Sequence, residues 1–266
     1  MDGCEHRWPK HLRTMHFKHI ENAGSAEVEK TSVGETRRIA PLDPTLVEAL
    51  RHLDAGILAN AIETFHKRLR NEGFIDHTVQ CFCPHLEPMV GYAATLRIRG
   101  SAPATAGGQF EERTDWWDYI LSLPTPRVAV VQDVASHPGL GSLVGSVHMN
   151  ILRALQCVGV VTNGAVRDLP AAESAGFHYF AGSLAVSHAY VHIVEVGPVV
   201  EIGGLKIHSG DLLHGDRHGV QSIPLDIAAQ IPPVAAEISA KEQAIIALCR
   251  SPDFSLEKLR AAIARG

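Results

Sequence analysis

The stretch VGVVTNGAVRDLP, residues 158–170, decides how this chain folds. Val158-Gly159-Val160-Val161-Thr162 is short, β-branched and apolar, the pattern of a buried strand, and Asn163-Gly164 is a strong turn signal. Arg167 and Asp168 then fall just beyond the carboxyl end of that strand. In α/β folds ligands collect at that end of the sheet.

Upstream, residues 141–157 (GSLVGSVHMNILRALQC) place Leu143, Val147, Ile151 and Leu155 at intervals of four, which predicts one helix opened by glycines. A helix start offers unpaired N–H groups, and a nearby guanidinium adds a fixed charge, so Gly145, Ser146, Val147 and His148 together with Arg167 suit a small carboxylate. Asp168 offers an oxygen ligand to a hard divalent cation. An Arg-Asp pair by itself is more often a surface pair or a helix cap, and a serine near a helix start is usually a cap.

The wider pattern is what lends the pair weight. The run at 158–170, with GGLKIHSGDLLHGDRHGVQSIP at 203–224, resembles the RraA-like family, which contains 4-hydroxy-4-methyl-2-oxoglutarate aldolases and oxaloacetate decarboxylases. The resemblance extends over roughly residues 42–250 through LDAGILANAIE, GYAATLRI, RTDWWDYILSLP, RVAVVQDV and FAGSLAVSHAYVHIVEVG, in that order. It implies a single α/β domain of the swivelling β/β/α type, assembled as a homotrimer or hexamer. It also implies that Gly145, Ser146, Val147 and His148 hold a substrate carboxylate, that Arg167 binds the 2-oxo group, and that Asp168 ligates magnesium or manganese. The implied activity is release of pyruvate from a small 2-oxo dicarboxylic acid. A second implication is a non-catalytic regulator that binds ribonuclease E on the same scaffold. The family's older label, a menaquinone methyltransferase, finds no glycine-rich loop here to hold its cofactor.

One departure bears on the chemistry. The family's aldolases carry an acidic residue where this chain has Ser146, and serine does not take a proton at neutral pH without a base beside it. Decarboxylation needs no such base. His148 is a candidate proton donor, because an unperturbed imidazole titrates near neutrality.

Other constellations are weaker. Asp133 follows the apolar strand Val128–Val131 and is a secondary candidate for holding Arg167 or a metal-bound water, with a structural turn the competing reading. Cys81-Phe82-Cys83-Pro84-His85 lacks the partner ligands of a zinc site. His188 and His192, and His214 and His218, are four apart, yet their neighbours predict strands, so polar packing is the expected role. Ala106-Gly107-Gly108 is too short for a nucleotide fingerprint.

Composition bounds the rest. With 266 residues, 45% of them hydrophobic and 20% charged, the chain suits a globular domain with appendages. A net charge of −5 without basic clusters argues against nucleic acid as a partner, and the apolar runs are too short for a membrane span. Five cysteines, odd in number and unevenly spaced, suit a reducing compartment, and the cytoplasm is the expected location. Residues 1–41 are expected to form a flexible extension, 42–224 the catalytic domain, and 225–266 helices that pack on the domain or a neighbouring subunit. There Glu237 or Glu242 would approach a neighbour's metal.

Overall fold

A computed structural model describes residues 39–104 and 113–264. The expected extension up to residue 38 and the Ala106-Gly107-Gly108 loop lie outside them. Two short helices open the described chain, α1 (Pro44–Arg51) and α2 (Ala55–Glu63). Both begin at an aspartate whose side chain accepts a backbone N–H: Asp43 from Thr45 at 2.8 Å and Asp54 from Ile57 at 2.9 Å. Their buried faces carry Val47 and Leu50, then Leu58, Ala61 and Ile62.

The next elements are β1 (Gln80–Cys81), β2 (Met89–Arg99), α3 (Asp115–Leu121), β3 (Arg127–Asp133), β4 (Ser142–Val144), α4 (Ser146–Ala154), β5 (Cys157–Thr162), β6 (Ala165–Val166), α5 (Leu169–Ala175), β7 (His178–Ala181) and β8 (Ser183–Leu184). Short strands follow, β9 (His192–Val196), β10 (Val200–Ile202), β11 (Leu205–Ile207), β12 (Leu212–Asp216) and β13 (Gly219–Ile223), and then the helices α6 (Ile231–Arg250) and α7 (Leu256–Ala264).

The main sheet runs β1-β7-β5-β3-β2-β12-β13, with β9 also on β2. Its centre is parallel, as apolar strands joined by helical crossovers require, and the hairpin β12–β13 adds antiparallel strands at one side. The sheet curls almost into a barrel. A Cβ on Gly215 of β12 would lie 2.8 Å from the ring of Phe180 on β7, although three strands separate the two in the sheet order. One apolar cluster fills the inside of the curl around Met89, Val128, Val161 and Phe180. Another packs α3, α4 and α5 on the outer face, and a third seats α1, α2 and the start of α6.

The predicted single helix over 141–157 is instead a strand, a glycine and a shorter helix. Leu143 is buried in β4, which pairs with β6, while Val147 is 76% exposed. Tertiary pairing outweighs the four-residue spacing. The helix buries His148, Met149 and Leu152 in place of the Val147 stripe.

Buried histidines set the acid response. Burial lowers the pKa of His148 and His178 from 6.5 to about 4 and lowers that of His214 as well. The folded state therefore takes up these protons later than the unfolded chain, so stability is full above pH 6.5 and falls towards pH 4. Each of the two larger shifts removes ~3 kcal/mol across that window. A urea midpoint measured from pH 7.5 to 4.5 should fall steeply below 6.5, and a flat profile would contradict this burial.

Candidate functional site

A second, three-stranded sheet builds the site. β4, β6 and β8 run parallel, with Val144 opposite Val166 and Val166 opposite Leu184. Their carboxyl ends deliver Gly145, Arg167 and Ala185 side by side, and the Arg167 N–H donates to the Val144 carbonyl at 3.1 Å. α4 starts at the first of these ends and α5 just past the second, so two helix starts face one another. Arg167 and Asp168 were expected at the carboxyl end of β5; they stand instead at that of β6, which leaves the main sheet to pair with β4 and β8.

Asp168 closes the gap between them. Its Oδ2 accepts the Ser146 N–H at 2.7 Å, and the Ser146 hydroxyl is near enough to lower the carboxyl pKa as well. The backbone donor is the largest cause holding the Asp168 pKa below the ordinary carboxylate value, with Arg167 and His188 adding smaller effects. Asp168 sits in the left-handed region with φ of 60°, a conformation that aspartate tolerates better than most residues. The first intrahelical bond of α4 is Met149 N–H to the Gly145 carbonyl at 2.9 Å, so the N–H groups of Ser146, Val147 and His148 precede it. Arg167 Nε lies 3.9 Å from Asp168 Oδ2 and is buried with no hydrogen-bond partner. That orphaned donor calls for an oxygen acceptor beside it.

Gly145 is required by contact. A Cβ there would lie 2.6 Å from Arg167 Nε and 2.7 Å from Asp168 Oδ2.

The four residues predicted to hold a carboxylate differ in what they offer. Ser146 is committed to Asp168, and Val147 presents an exposed apolar side chain. His148 turns inward, where Trp116 Nε1–H donates to its Nε2 at 3.5 Å. With its pKa pushed down to about 4, the ring carries no second proton at neutral pH, which counts against the proton-donor role. His188, considered only beside His192, stands close enough to influence both Asp168 and His148. The fully buried Tyr179 likewise comes within range of Arg167 and Asp168, which no local motif announces.

Asp133 is a turn residue. Its carboxylate oxygens accept from Ala135 N–H at 3.0 Å and Gly139 N–H at 2.9 Å, while the Asn163 amide brackets its backbone. Cys83 lies buried against the Phe177 carbonyl, and burial raises its thiol and that of Cys81. His214 Nε2–H donates to the Leu53 carbonyl at 2.8 Å, His218 faces Asp216, and His192 meets the Tyr190 carbonyl, so neither histidine pair converges. Glu242 accepts from Asn60 of its own chain, and Glu237 is exposed. Among the described residues no three His, Cys, Asp or Glu side chains cluster to hold a metal.

Two clefts of about 510 Å³ each open on the surface. One runs along α4 past Ser146, Val147, Asn150 and Ile151. The other lies between the start of α2 and β13, at the opposite end of β2 from the site, where Asp216 is already saturated by Ala55 and His218.

The family model described as RraA-like, aldolase/RraA, matches residues 47–221. This chain belongs to the RraA-like family. A Halalkalibacterium halodurans protein named as a candidate 4-hydroxy-4-methyl-2-oxoglutarate aldolase is 28% identical over 109 residues, 39% of this RraA-like chain and 52% of that relative. The match thus spans about half of the relative's length. An uncharacterized Pseudomonas syringae pv. tomato protein superposes with a TM-score of 0.66 at 22% identity, over 86% of this chain and 99% of its own. Streptomyces coelicolor RraAS2, described as an unusual member of the RNase ES inhibitor RraA protein family, gives 0.61 at 18% identity, over 77% and 98%. These structures share the mixed α/β fold. Among the described residues no helix is long and apolar enough to cross a membrane.

Gly145→Ala should spare the fold, because Asp168 and Arg167 can swing aside, yet dismantle their arrangement. The expected result is a melting temperature near wild type with oxalate binding weakened at least about tenfold. Unchanged oxalate binding would show that the close approach is dispensable.

Proposed function

We propose that this chain is a divalent-metal-dependent carbon–carbon lyase that releases pyruvate from a small 2-oxo dicarboxylic acid. The observation that supports this most is the Arg167 guanidinium held beside the Asp168 carboxylate, 3.9 Å from Nε to Oδ2, at the start of α4. The first N–H groups of α4 suit the substrate carboxylate, and the Arg167 guanidinium suits the 2-oxo oxygen.

Asp168 would hold the cation. The Ser146 N–H engages its Oδ2, and the side chain is 38% exposed, so the carboxylate is accessible to an ion that keeps most of its waters. A lone carboxylate fits magnesium or manganese and does not fit a structural zinc. When bound, such an ion supplies positive charge against the developing enolate.

The protein's own groups favour one cleavage over the other. In decarboxylation of an oxaloacetate-type substrate the C3–C4 bond breaks, its electron pair moves into the 2-oxo group, and carbon dioxide leaves. A proton added at C3 then completes pyruvate. Retro-aldol cleavage of a 4-hydroxy-4-methyl-2-oxoglutarate-type substrate must first remove the 4-hydroxyl proton. Ser146 points its hydroxyl at Asp168, and His148 is buried against Trp116, so neither is placed as that base. Decarboxylation is the better-served reaction.

Assembly fits the same picture. α7 buries none of its side chains within its own chain, and Phe254, Leu256 and Ile263 stay exposed. Near the site Val147, Leu184 and Val186 are exposed too. Packing between copies in a homotrimer or hexamer would cover such surfaces, and binding of a ribonuclease partner is the second reading that they favour.

Purified protein should release pyruvate from oxaloacetate only with magnesium or manganese present. Asp168→Ala and Arg167→Ala should each lower turnover by about a hundredfold or more. Absence of turnover with either metal, on oxaloacetate and on 4-hydroxy-4-methyl-2-oxoglutarate, would favour the regulator.

A further inference from the structure

Two buried polar groups without a hydrogen-bond partner belong to one neighbourhood. One is Arg167 Nε and the other is the Tyr179 hydroxyl. Tyr179 lies on β7 opposite Val160 of β5, in the apolar cluster that contains Met149 and Leu152 of α4, Val166 of β6 and Ala172 of α5. Phe177 packs edge-on against its ring at 5.9 Å. The ring therefore sits in the layer under the two helices whose first turns carry Ser146 and Asp168. Arg167 directly follows Val166 of that cluster, and its Nε lies 2.6 Å from where a Cβ on Gly145 would stand at the start of α4, so the arginine stem runs along the same layer.

Neither orphan is explained by folding. A buried donor or hydroxyl left without a partner is destabilising. Phenylalanine at 179 would keep the packing and remove that cost, and Phe180 on the same strand is fully buried. The two groups are also complementary, because Arg167 Nε–H can only donate and a phenol oxygen accepts.

We propose that Tyr179 is a positioning residue for Arg167: with a 2-oxo acid bound, its phenol oxygen accepts the Nε–H and turns the terminal guanidinium nitrogens towards the substrate. The proposal rests on the pyruvate-site reading above. Tyr179 is fully buried and does not touch substrate, so it acts through the arginine.

The test compares wild type, Tyr179→Phe, Arg167→Lys and the double variant. Each is melted, titrated by calorimetry with oxalate in the presence of magnesium, and followed by ultraviolet difference spectroscopy. Tyr179→Phe should melt at or above the wild-type temperature while binding oxalate about tenfold more weakly. Oxalate should perturb a tyrosine band in wild type that is missing from Tyr179→Phe. Lysine has no Nε–H, so the tyrosine change should have almost no further effect in the Arg167→Lys background. Equal oxalate affinity in wild type and Tyr179→Phe would overturn the proposal, as would a lowered melting temperature, which marks a structural hydroxyl. Full additivity with Arg167→Lys would overturn it too. If wild type itself binds no oxalate, the pyruvate-site reading has failed and takes this role with it; binding by wild type with an indifferent Tyr179→Phe removes only the role of Tyr179.

Discussion

The Asp168 carboxylate accepting the Ser146 N–H at 2.7 Å is the interaction on which the site depends. It joins the start of α4 to the start of α5, and it fixes Asp168 although that residue sits at φ of 60°. Three constraints make it possible. β4 and β6 must run parallel and in register, Gly145 must lack a side chain, and Arg167 must follow β6 without a residue to spare. Each is local, and together they leave one carboxylate and one guanidinium within 4 Å of each other over a set of backbone N–H groups.

Serine at 146 gives this arrangement its chemical character. A carboxylate there would face Asp168 and oppose its charge, whereas the neutral serine hydroxyl favours the ionised Asp168. The local balance is therefore one acidic group to one arginine. That composition suits stabilising an enolate more than abstracting a proton, because the imidazole of His148 is drawn into the core by burial. The same burial that removes His148 from proton transfer makes the fold sensitive to acid, so one physical cause has both effects.

Much of this was legible from residues. The β-branched run before Asn163-Gly164 marked a buried strand, but Arg167 and Asp168 follow a further short strand, β6, that belongs to the second sheet. What local periodicity missed was decided by contacts distant in the chain. Leu143, Val147, Ile151 and Leu155 share helical spacing, yet pairing with β6 pulls Leu143 into a strand and leaves Val147 outside. Asp133 offered a secondary partner for Arg167 or a metal-bound water from its strand-end position, with a structural turn the competing reading, and the N–H groups of Ala135 and Gly139, which close a turn, use both its oxygens. His188 and Tyr179 reach the site across loops and strands, so no spacing pattern could have named them.

Manganese titration followed by electron paramagnetic resonance tests the central claim most directly. Wild type should bind one manganese ion per chain with water still in its coordination sphere, and Asp168→Asn, which keeps the size of the side chain and a Ser146 acceptor, should bind none at the same site. Equal manganese binding by the two proteins would contradict the assignment of Asp168 as the metal ligand, and with it the account of this site.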